Sequence, residues 1–351
     1  MSVYQHPDFD QHQMVAFKQD RASGLQAIIA VHDNNLGTAT GGCRMYPYAN
    51  EAAALTDVLR LSRGMTYKSA LAGLPLGGGK AVIIGDPARD KTRSLLLAMG
   101  DFVDSLNGKY VTAQDSGTDA GDLAVIAERT SHVSARAGNL GADPSISTAL
   151  GVFEGIRAAV KFRFGTDLQG VGVALQGLGN VGYRLARLLR AAGAEVCGAD
   201  VRQDNVDRAV AELGVVARPW REILSAGVEV LAPCALGGSI CAESLDRISA
   251  TVIAGAANNQ LATPDMDATL CERGILYAPD YVINAGGIID VHYRGRGMTG
   301  AVLRRRYVAR IGARLSEIFS RSAATGKPTG EIADRMAEAI FRAPQESDRA
   351  A

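Results

Sequence analysis

Apolar and polar positions alternate along the chain between short buried runs and longer helical stretches. Gln26-Ala27-Ile28-Ile29-Ala30-Val31 predicts a buried strand, ended by Asp33-Asn34-Asn35. After Asn50, a helix cap, Leu55, Val58, Leu59, Ser62 and Met65 fall on one face at helical spacing. Lys68 is expected just beyond that helix. Ala81-Val82-Ile83-Ile84 predicts a strand buried on both faces, stopped by Asp86-Pro87. A helix over about 93–107, the strand Tyr110-Val111-Thr112-Ala113 and a helix from about Asp119 to Thr130 follow. From about 136 to 144 the chain loosens, which suggests an interdomain segment.

The second half repeats the alternation. A helix from about Thr148 to Phe164 carries Val152, Ile156 and Val160 at every fourth place, with Gly165 just past its end. Val171 to Leu175 is a strand, a helix runs to Ala192, and Glu195 to Ala199 is the next strand. Further strands fit Val228 to Pro233 and Thr251 to Gly255. Gly274 to Pro279 and Asn284 to Ile288 complete this unit. A single amphipathic helix is expected over about 300–323, with Leu303, Tyr307, Ile311, Leu315 and Ile318 on one face and Arg304-Arg305-Arg306 as solvated surface or an oligomer contact. A last helix covers Glu331 to Arg342. Helices alternating with buried strands make the fold α/β, in two domains divided near 136.

Composition narrows the function classes. A chain of 351 residues, 47% apolar and 21% charged, has the length and make-up of two globular domains. Lys+Arg and Asp+Glu are both 37, so the zero net charge gives no argument for nucleic acid or an anionic membrane as partner. The N-terminus lacks a basic-then-apolar leader pattern and no apolar run reaches a membrane span, so a cytoplasmic protein is expected. The 5 cysteines form no C-x-x-C pair and the 5 histidines no metal spacing; no metal is expected.

The chemistry gathers around glycine. Leu74-Pro75-Leu76-Gly77-Gly78-Gly79-Lys80 suggests a phosphate loop but fails on spacing, because Leu74 and Ala81 stand where the P-loop needs Gly and Ser or Thr. The run instead reads as bare backbone beside one ammonium. Lys68 is the only charge between Met65 and Gly79, so it either snorkels out or meets an anionic ligand. Gly41-Gly42 is either a turn or bulge, or a backbone surface for a ligand. Asp115, at a strand end, is either a helix cap or a functional carboxylate. Two lysines and an aspartate beside glycine-lined backbone would suit an α-amino acid, one ammonium taking its carboxylate and another doing acid–base work.

Gln176-Gly177-Leu178-Gly179-Asn180-Val181-Gly182 is G-x-G-x-x-G between a strand and a helix, with Asp200 ending the next strand. That is the context a dinucleotide site requires. Asp200 would accept from the ribose hydroxyls and repel a 2′-phosphate, favouring NAD over NADP, with Arg202 near enough to soften the preference. Small residues at later strand ends, Ala235, Leu236, Ala254, Ala256 and Asn259 among them, would line the cofactor crevice.

These motifs resemble, in one order over nearly the whole chain, the glutamate/leucine/phenylalanine/valine dehydrogenases. The likeness runs through Leu36 to Arg44, Arg63 to Lys68, Leu74 to Pro87, Asn107 to Asp115, Gln176 to Gly182, Ala232 to Gly238, Ala254 to Leu261 and Tyr277 to Ile289. The branch most resembled is that acting on leucine, with those for phenylalanine, valine and tryptophan close by. The resemblance implies NAD-dependent oxidative deamination of an L-amino acid to the 2-oxo acid and ammonia. It makes Lys68 the carboxylate-binding lysine, helped by the backbone of Gly41 and Gly42, and Lys80 the group that activates water. Asp115 would exchange protons with the amino nitrogen, Asn259 would orient substrate, and Thr148 would contact the carboxamide. It also places the C-terminal helix back on the first domain. The domains become 1–135 plus about 324–351 for substrate and oligomerisation, and 136–323 for NAD, separated by a cleft that closes. A homo-oligomer, a dimer or a multiple of it, is expected.

Three positions depart from the family pattern: Thr40, Cys43 and Gln114. The inferred side-chain pocket, Thr40, Ala113, Ile288 and Val291, is mostly aliphatic with one polar wall and no cation for a side-chain carboxylate. Leucine, valine and isoleucine are therefore favoured over glutamate, with phenylalanine or tryptophan as the alternative. A hydroxy-acid dehydrogenase would need a His–Arg pair near the motifs, and none is evident. A non-catalytic binding protein would be expected to lack a lysine or the aspartate, and all three are present.

Overall fold

The computed structural model describes residues 2–134, 143–235, 237–298 and 300–343, with Arg305 described by its backbone only. Two packed units emerge: one holds the chain up to Ala142 and again from Ala337, the other runs from Asp143 to Met336.

In the first unit, strands β1 (Met14–Asp20), β2 (Leu25–Asp33), β3 (Ala39–Tyr46), β4 (Gly77–Ile84) and β5 (Tyr110–Gln114) form one mixed sheet in the order β1-β2-β4-β3-β5. β4, β3 and β5 run parallel, with β5 at the sheet edge, and β2 joins β4 antiparallel. Helix α1 (Glu51–Leu71) starts where Asn50 accepts a hydrogen bond from the Ala53 amide at 2.9 Å. Its Ala54, Val58 and Leu59 bury one sheet face together with Ile28, Ala30 and Val82. Helix α2 (Arg93–Asp104) covers the other face, packing Leu96, Met99 and Val103 against Ile29, Cys43, Ile83 and Tyr110. The short helix α3 (Ala120–Ile126) is capped by Asp119, whose side chain accepts from the Gly121 and Asp122 amides.

Three expectations change here. Lys68 lies inside the last turn of α1, because Thr66 to Leu71 keep burying against the sheet and no breaker precedes Ala72. The glycine run is strand from Gly77 onward, not a loop leading into a strand at Ala81. Gly41-Gly42 likewise sits in the middle of β3, paired with Thr112 and Ala113 of β5, rather than in a turn.

The second unit begins with helix α4 (Ser145–Phe164), closed by Gly165 in the left-handed region at φ 74°. Six strands follow: β6 (Gly172–Gln176), β7 (Glu195–Ala199), β8 (Val216–Ala217), β9 (Val230–Pro233), β10 (Val252–Ile253) and β11 (Leu276–Tyr277). They are all parallel, in the order β11-β10-β9-β6-β7-β8. Counted from β6 this is 6-5-4-1-2-3, the doubly wound dinucleotide-binding order, with its switch point between β6 and β9. Helices α5 (Asn180–Ala191) and α6 (Gln203–Leu213) make the first crossovers; α7 (Ala242–Leu245), α8 (Met266–Glu272), α9 (Asp280–Ile283) and α10 (Gly286–Arg294) follow. Gly286 to Ile288, expected to complete this unit, open the helix α10.

The helix expected over 300–323 is interrupted. A turn α11 (Gly300–Leu303) leads into a π-helical stretch at Arg304–Val308 and then α12 (Arg310–Thr325). The buried series runs Leu303, Val308, Ile311, Leu315. The five-residue step after Leu303 is the wide turn, so Val308 takes the core place expected of Tyr307. The last helix α13 (Thr329–Phe341) is shared by the two units as packing divides them, its residues up to Met336 counting with the second. Thr329 donates to the Tyr277 carbonyl at 2.7 Å and Asp334 accepts from the Tyr281 hydroxyl at 2.6 Å, which ties those turns to the second unit.

Candidate active site

In the first unit, strand alternation puts Thr40, Gly42 and Arg44 of β3, Gly78 and Lys80 of β4, and Val111 and Ala113 of β5 on the face that α1 covers. Glycine on this face is a matter of room. A methyl group at Gly78 would run into the Thr66 amide and hydroxyl of α1, and one at Gly42 would stand 2.7 Å from the Asp115 Cβ. The run therefore lets α1 settle on the sheet and lets Asp115 fold back over β3. The substrate-facing wall inferred for Gly77 to Gly79 is covered by protein: Gly78 meets α1 and Gly79 meets the Tyr110 ring.

Lys80 is buried at 5% exposure, and its ammonium contacts Asp115 Oδ2. Asp115 Oδ1 accepts from the Ser116 amide at 2.6 Å and from Arg44 Nε at 3.2 Å. Asp115 is not a helix cap; Asp119 has that role, and the Asp115 carboxylate turns to the two cations instead. Burial works to raise the Asp115 carboxyl, and the Lys80 ammonium and Arg44 guanidinium outweigh it, holding it below the ordinary carboxylate range. Arg44 in turn donates to Asp57 of α1 at 2.9 Å, and Asp57 accepts from the Tyr48 hydroxyl. Arg44 appeared in sequence only as part of a glycine motif, and Asp57 and Tyr48 carried no signal at all.

Lys68 is half-exposed on α1, and Thr40 and Ala113 are half-buried in β3 and β5. The Thr40 hydroxyl donates to the Thr38 carbonyl at 3.2 Å. Tyr110 fixes the carbonyls of Gly41 and Gly42 with its hydroxyl at 2.7 and 3.2 Å. Cys43 is fully buried on the opposite face, and burial pushes its thiol up to about 12. That departure from the family pattern is inert packing.

In the second unit, Gly177 adopts φ 109° directly after β6, and a methyl group at Gly182 would strike the Gly177 carbonyl. Gly179 caps α5 with nothing within 4 Å of where a side chain would stand, which leaves room beside the helix N-terminus that begins at Asn180 and Val181. Asp200, just past β7, accepts from the Leu178 amide at 2.7 Å and the Arg202 amide at 2.9 Å. Ala235 lies across the switch point, its Cβ 3.0 Å from where a Gly177 methyl would sit. Gln176 ends β6 buried, with its Oε1 unpartnered. A helix start with room beside it, a fixed carboxylate at the second strand and an unmet acceptor at the switch point fit a nicotinamide dinucleotide.

Ala254 is buried at the end of β10, and Ala256 gives its carbonyl to Asn284 at 3.2 Å. Asn259 is exposed and left-handed at φ 50°. Its loop is clamped by Gln260, whose side chain donates to the Gly255 and Ala257 carbonyls and whose amide donates to Asp280. Thr148 donates to the Pro144 carbonyl at 3.0 Å in the first turn of α4, where Gly287 of α10 comes close. Ile288 and Val291 lie on α10, the latter 43% exposed. Leu236 and the segment 136–142 lie outside the described residues. Among the described residues no three His, Cys, Asp or Glu form a metal-holding group, and no helix is long and apolar enough to cross a membrane.

A lysine–carboxylate centre in one unit and a doubly wound dinucleotide fold in the other define a dinucleotide-linked oxidoreductase. The sequence matches the model of "Glu/Leu/Phe/Val dehydrogenase, dimerisation domain" over residues 10–132 and that of "Glutamate/Leucine/Phenylalanine/Valine dehydrogenase" over 200–293. It is 44% identical over 347 residues to leucine dehydrogenase of Geobacillus stearothermophilus, covering 96% of this chain and 93% of that protein. It is 46% identical over 339 residues to valine dehydrogenase of Streptomyces virginiae, covering 95% and 94%. The crystal structure of L-tryptophan dehydrogenase from Nostoc punctiforme superposes with a TM-score of 0.81 at 43% identity, covering 94% of this chain and 96% of that one. The chain belongs to the glutamate/leucine/phenylalanine/valine dehydrogenase family, a family of NAD(P)-dependent amino acid dehydrogenases.

Proposed function

We propose that this protein catalyses the reversible NAD-dependent oxidative deamination of an apolar aliphatic L-amino acid: leucine, valine or isoleucine. The amino acid, NAD⁺ and water give the 2-oxo acid, ammonium, NADH and a proton. The observation that carries the reading is the buried contact of Lys80 with Asp115, braced by Arg44. When bound, the nicotinamide supplies the hydride acceptor for the substrate Cα.

This chain's residues do the rest. Lys68, with the backbone of Gly41 and Gly42, holds the substrate carboxylate. Asp115 Oδ2 takes a proton from the amino nitrogen. Lys80 Nζ, neutral once its own proton has passed to solvent, takes a proton from the water that adds to the imine carbon, and returns it when the reaction runs backwards. The amides at Asn180 and Val181 hold the pyrophosphate, with Gly177, Gly179 and Gly182 giving it access, and Asp200 selects NAD by accepting from the ribose hydroxyls. Ala235, Leu236, Ala254 and Ala256 line the crevice, Thr148 contacts the carboxamide, and Asn259 orients the substrate.

Thr40, Ala113, Ile288 and Val291 receive the side chain. The Thr40 hydroxyl is engaged by the Thr38 carbonyl, which supports an apolar occupant. The likeness to a tryptophan dehydrogenase structure favours, as a second reading, the same reaction on phenylalanine or tryptophan. The first unit serves substrate binding and assembly into a homo-oligomer, in keeping with the dimerisation-domain match, and the second serves NAD. The enzyme works in the cytoplasm.

The test is a panel of L-amino acids at alkaline pH with NAD⁺ or NADP⁺, followed by absorbance of the reduced cofactor. Leucine, valine and isoleucine with NAD⁺ should give the highest kcat/KM. Turnover of glutamate alone, or none with any apolar amino acid, sinks the proposal.

A further inference from the structure

We propose that Arg44 and Asp57 form a positioning pair for Asp115, Arg44 fixing one carboxylate oxygen and Asp57 tempering the charge that Arg44 brings. The proposal rests on the reading of Asp115 as the group that exchanges protons with the substrate amino nitrogen. The two oxygens of Asp115 are used differently. Oδ1 is tied to the scaffold by Arg44 Nε at 3.2 Å and the Ser116 amide at 2.6 Å. Oδ2 has Lys80 as its contact and is the oxygen available to a proton in transit. A carboxylate held at one oxygen by a guanidinium and an amide cannot turn, so the reacting oxygen stays aimed.

The guanidinium is a planar fork that can serve two carboxylates at once. Arg44 does so, reaching Asp115 with Nε and Asp57 with Nη1 at 2.9 Å. The Tyr48 hydroxyl donates to the same Asp57 oxygen and completes the chain Tyr48–Asp57–Arg44–Asp115–Lys80. All five groups are more than half shielded from water, where charges act on one another strongly. The charged and titratable groups that act on Asp115 are Lys80 of β4, Arg44 and Cys43 of β3, Tyr48 before α1 and Tyr110 of β5, while Asp57 of α1 acts on Arg44 and Tyr48, and Asp122 of α3 on Cys43. Removing the Arg44 charge should raise the proton affinity of Asp115. Removing the Asp57 charge should lower it, because Arg44 is then left wholly to Asp115.

Opposite signs separate positioning from bracing. The experiment compares the pH dependence of kcat/KM for the amino acid at saturating NAD⁺ in wild type, Arg44→Gln, Arg44→Lys and Asp57→Asn, with Asp115→Asn as control. The acidic limb should move up by roughly one unit in Arg44→Gln, return most of the way in Arg44→Lys, and move down by roughly half a unit in Asp57→Asn. NAD affinity should stay unchanged in all. A limb that stays in place in every folded variant, or moves the same way in Arg44→Gln and Asp57→Asn, overturns the proposal. If Arg44→Gln does not fold, Asp57→Asn decides alone, and a limb unmoved or raised there is the overturning result. Full activity in Asp115→Asn would instead remove the proton role of Asp115, and this proposal with it.

Discussion

A single ammonium carries most of the chemistry assigned to the first unit. Lys80→Ala removes it and leaves Asp115 with Arg44 as its remaining cation. Turnover should fall by about a hundredfold or more, with NAD affinity, measured by fluorescence titration, within about twofold of wild type. Lost NAD binding with intact turnover would reverse the assignment. At this scale the G-x-G-x-x-G glycines stood out by their spacing and Lys80 by the glycine run it ends, whereas Asp115 read equally as a helix cap until the fold turned it to Lys80 and Arg44. Arg44 and Asp57 did not stand out. They meet Asp115 across 71 residues of sequence in one case and through Arg44 in the other, with no periodicity to link them.

Glycine at the level of the strand is where the sequence reading and the structure part most. Gly77 to Gly79 read as exposed backbone, and they form a covered central strand. Sequence could not distinguish room for a ligand from room for a neighbouring element, since both demand a missing side chain. The two uses separate on substitution. Gly78→Ala pushes a methyl into α1 and should cost about 1–3 kcal/mol in overpacking, seen as a fall in Tm of several degrees. Gly42→Ala pushes instead against the Asp115 side chain and the Gln114 carbonyl beside it. It should lose a larger share of kcat than of stability. Equal losses of Tm and kcat in both variants would count against this division. Element ends with strong local codes, the Asn50 start of α1 and the Gly165 end of α4, fell where expected. The stretch 300–323 did not, because one extra residue in a wide turn shifts the buried series from Tyr307 to Val308 without altering the average pattern.

Across the molecule, buried titratable groups give the two units different responses to acid. In the first, His32 is buried beside Thr66, Asp10 and His12, and burial drives it from 6.5 to about 4. Its charged form is disfavoured in the fold, so its contribution is complete above about pH 6.5 and is lost as the pH falls towards 4. The loss is on the order of 3 kcal/mol when complete. In the second, burial raises the Asp267 carboxyl to about 6. That contribution has the other sign: it is present below about pH 4 and lost as the pH rises through 6. Thermal unfolding at pH 7 and pH 5 should therefore show a fall in Tm on acidification that is smaller in His32→Gln than in wild type. An equal fall in both would show that His32 does not govern the acid response.

What the sequence determined by itself was local or motif-borne: alternating buried runs that made the fold α/β, and the strand–glycine–helix unit of the dinucleotide site. Each is written in neighbouring residues, through periodicity or a spacing tied to one geometry. What only the tertiary structure decided was which glycines make room for protein, where the strands order themselves around the β6–β9 switch point, and how Arg44 and Asp57 hold the carboxylate. Those depend on packing between segments far apart in the chain, where contact follows from the whole arrangement of elements and from no local pattern.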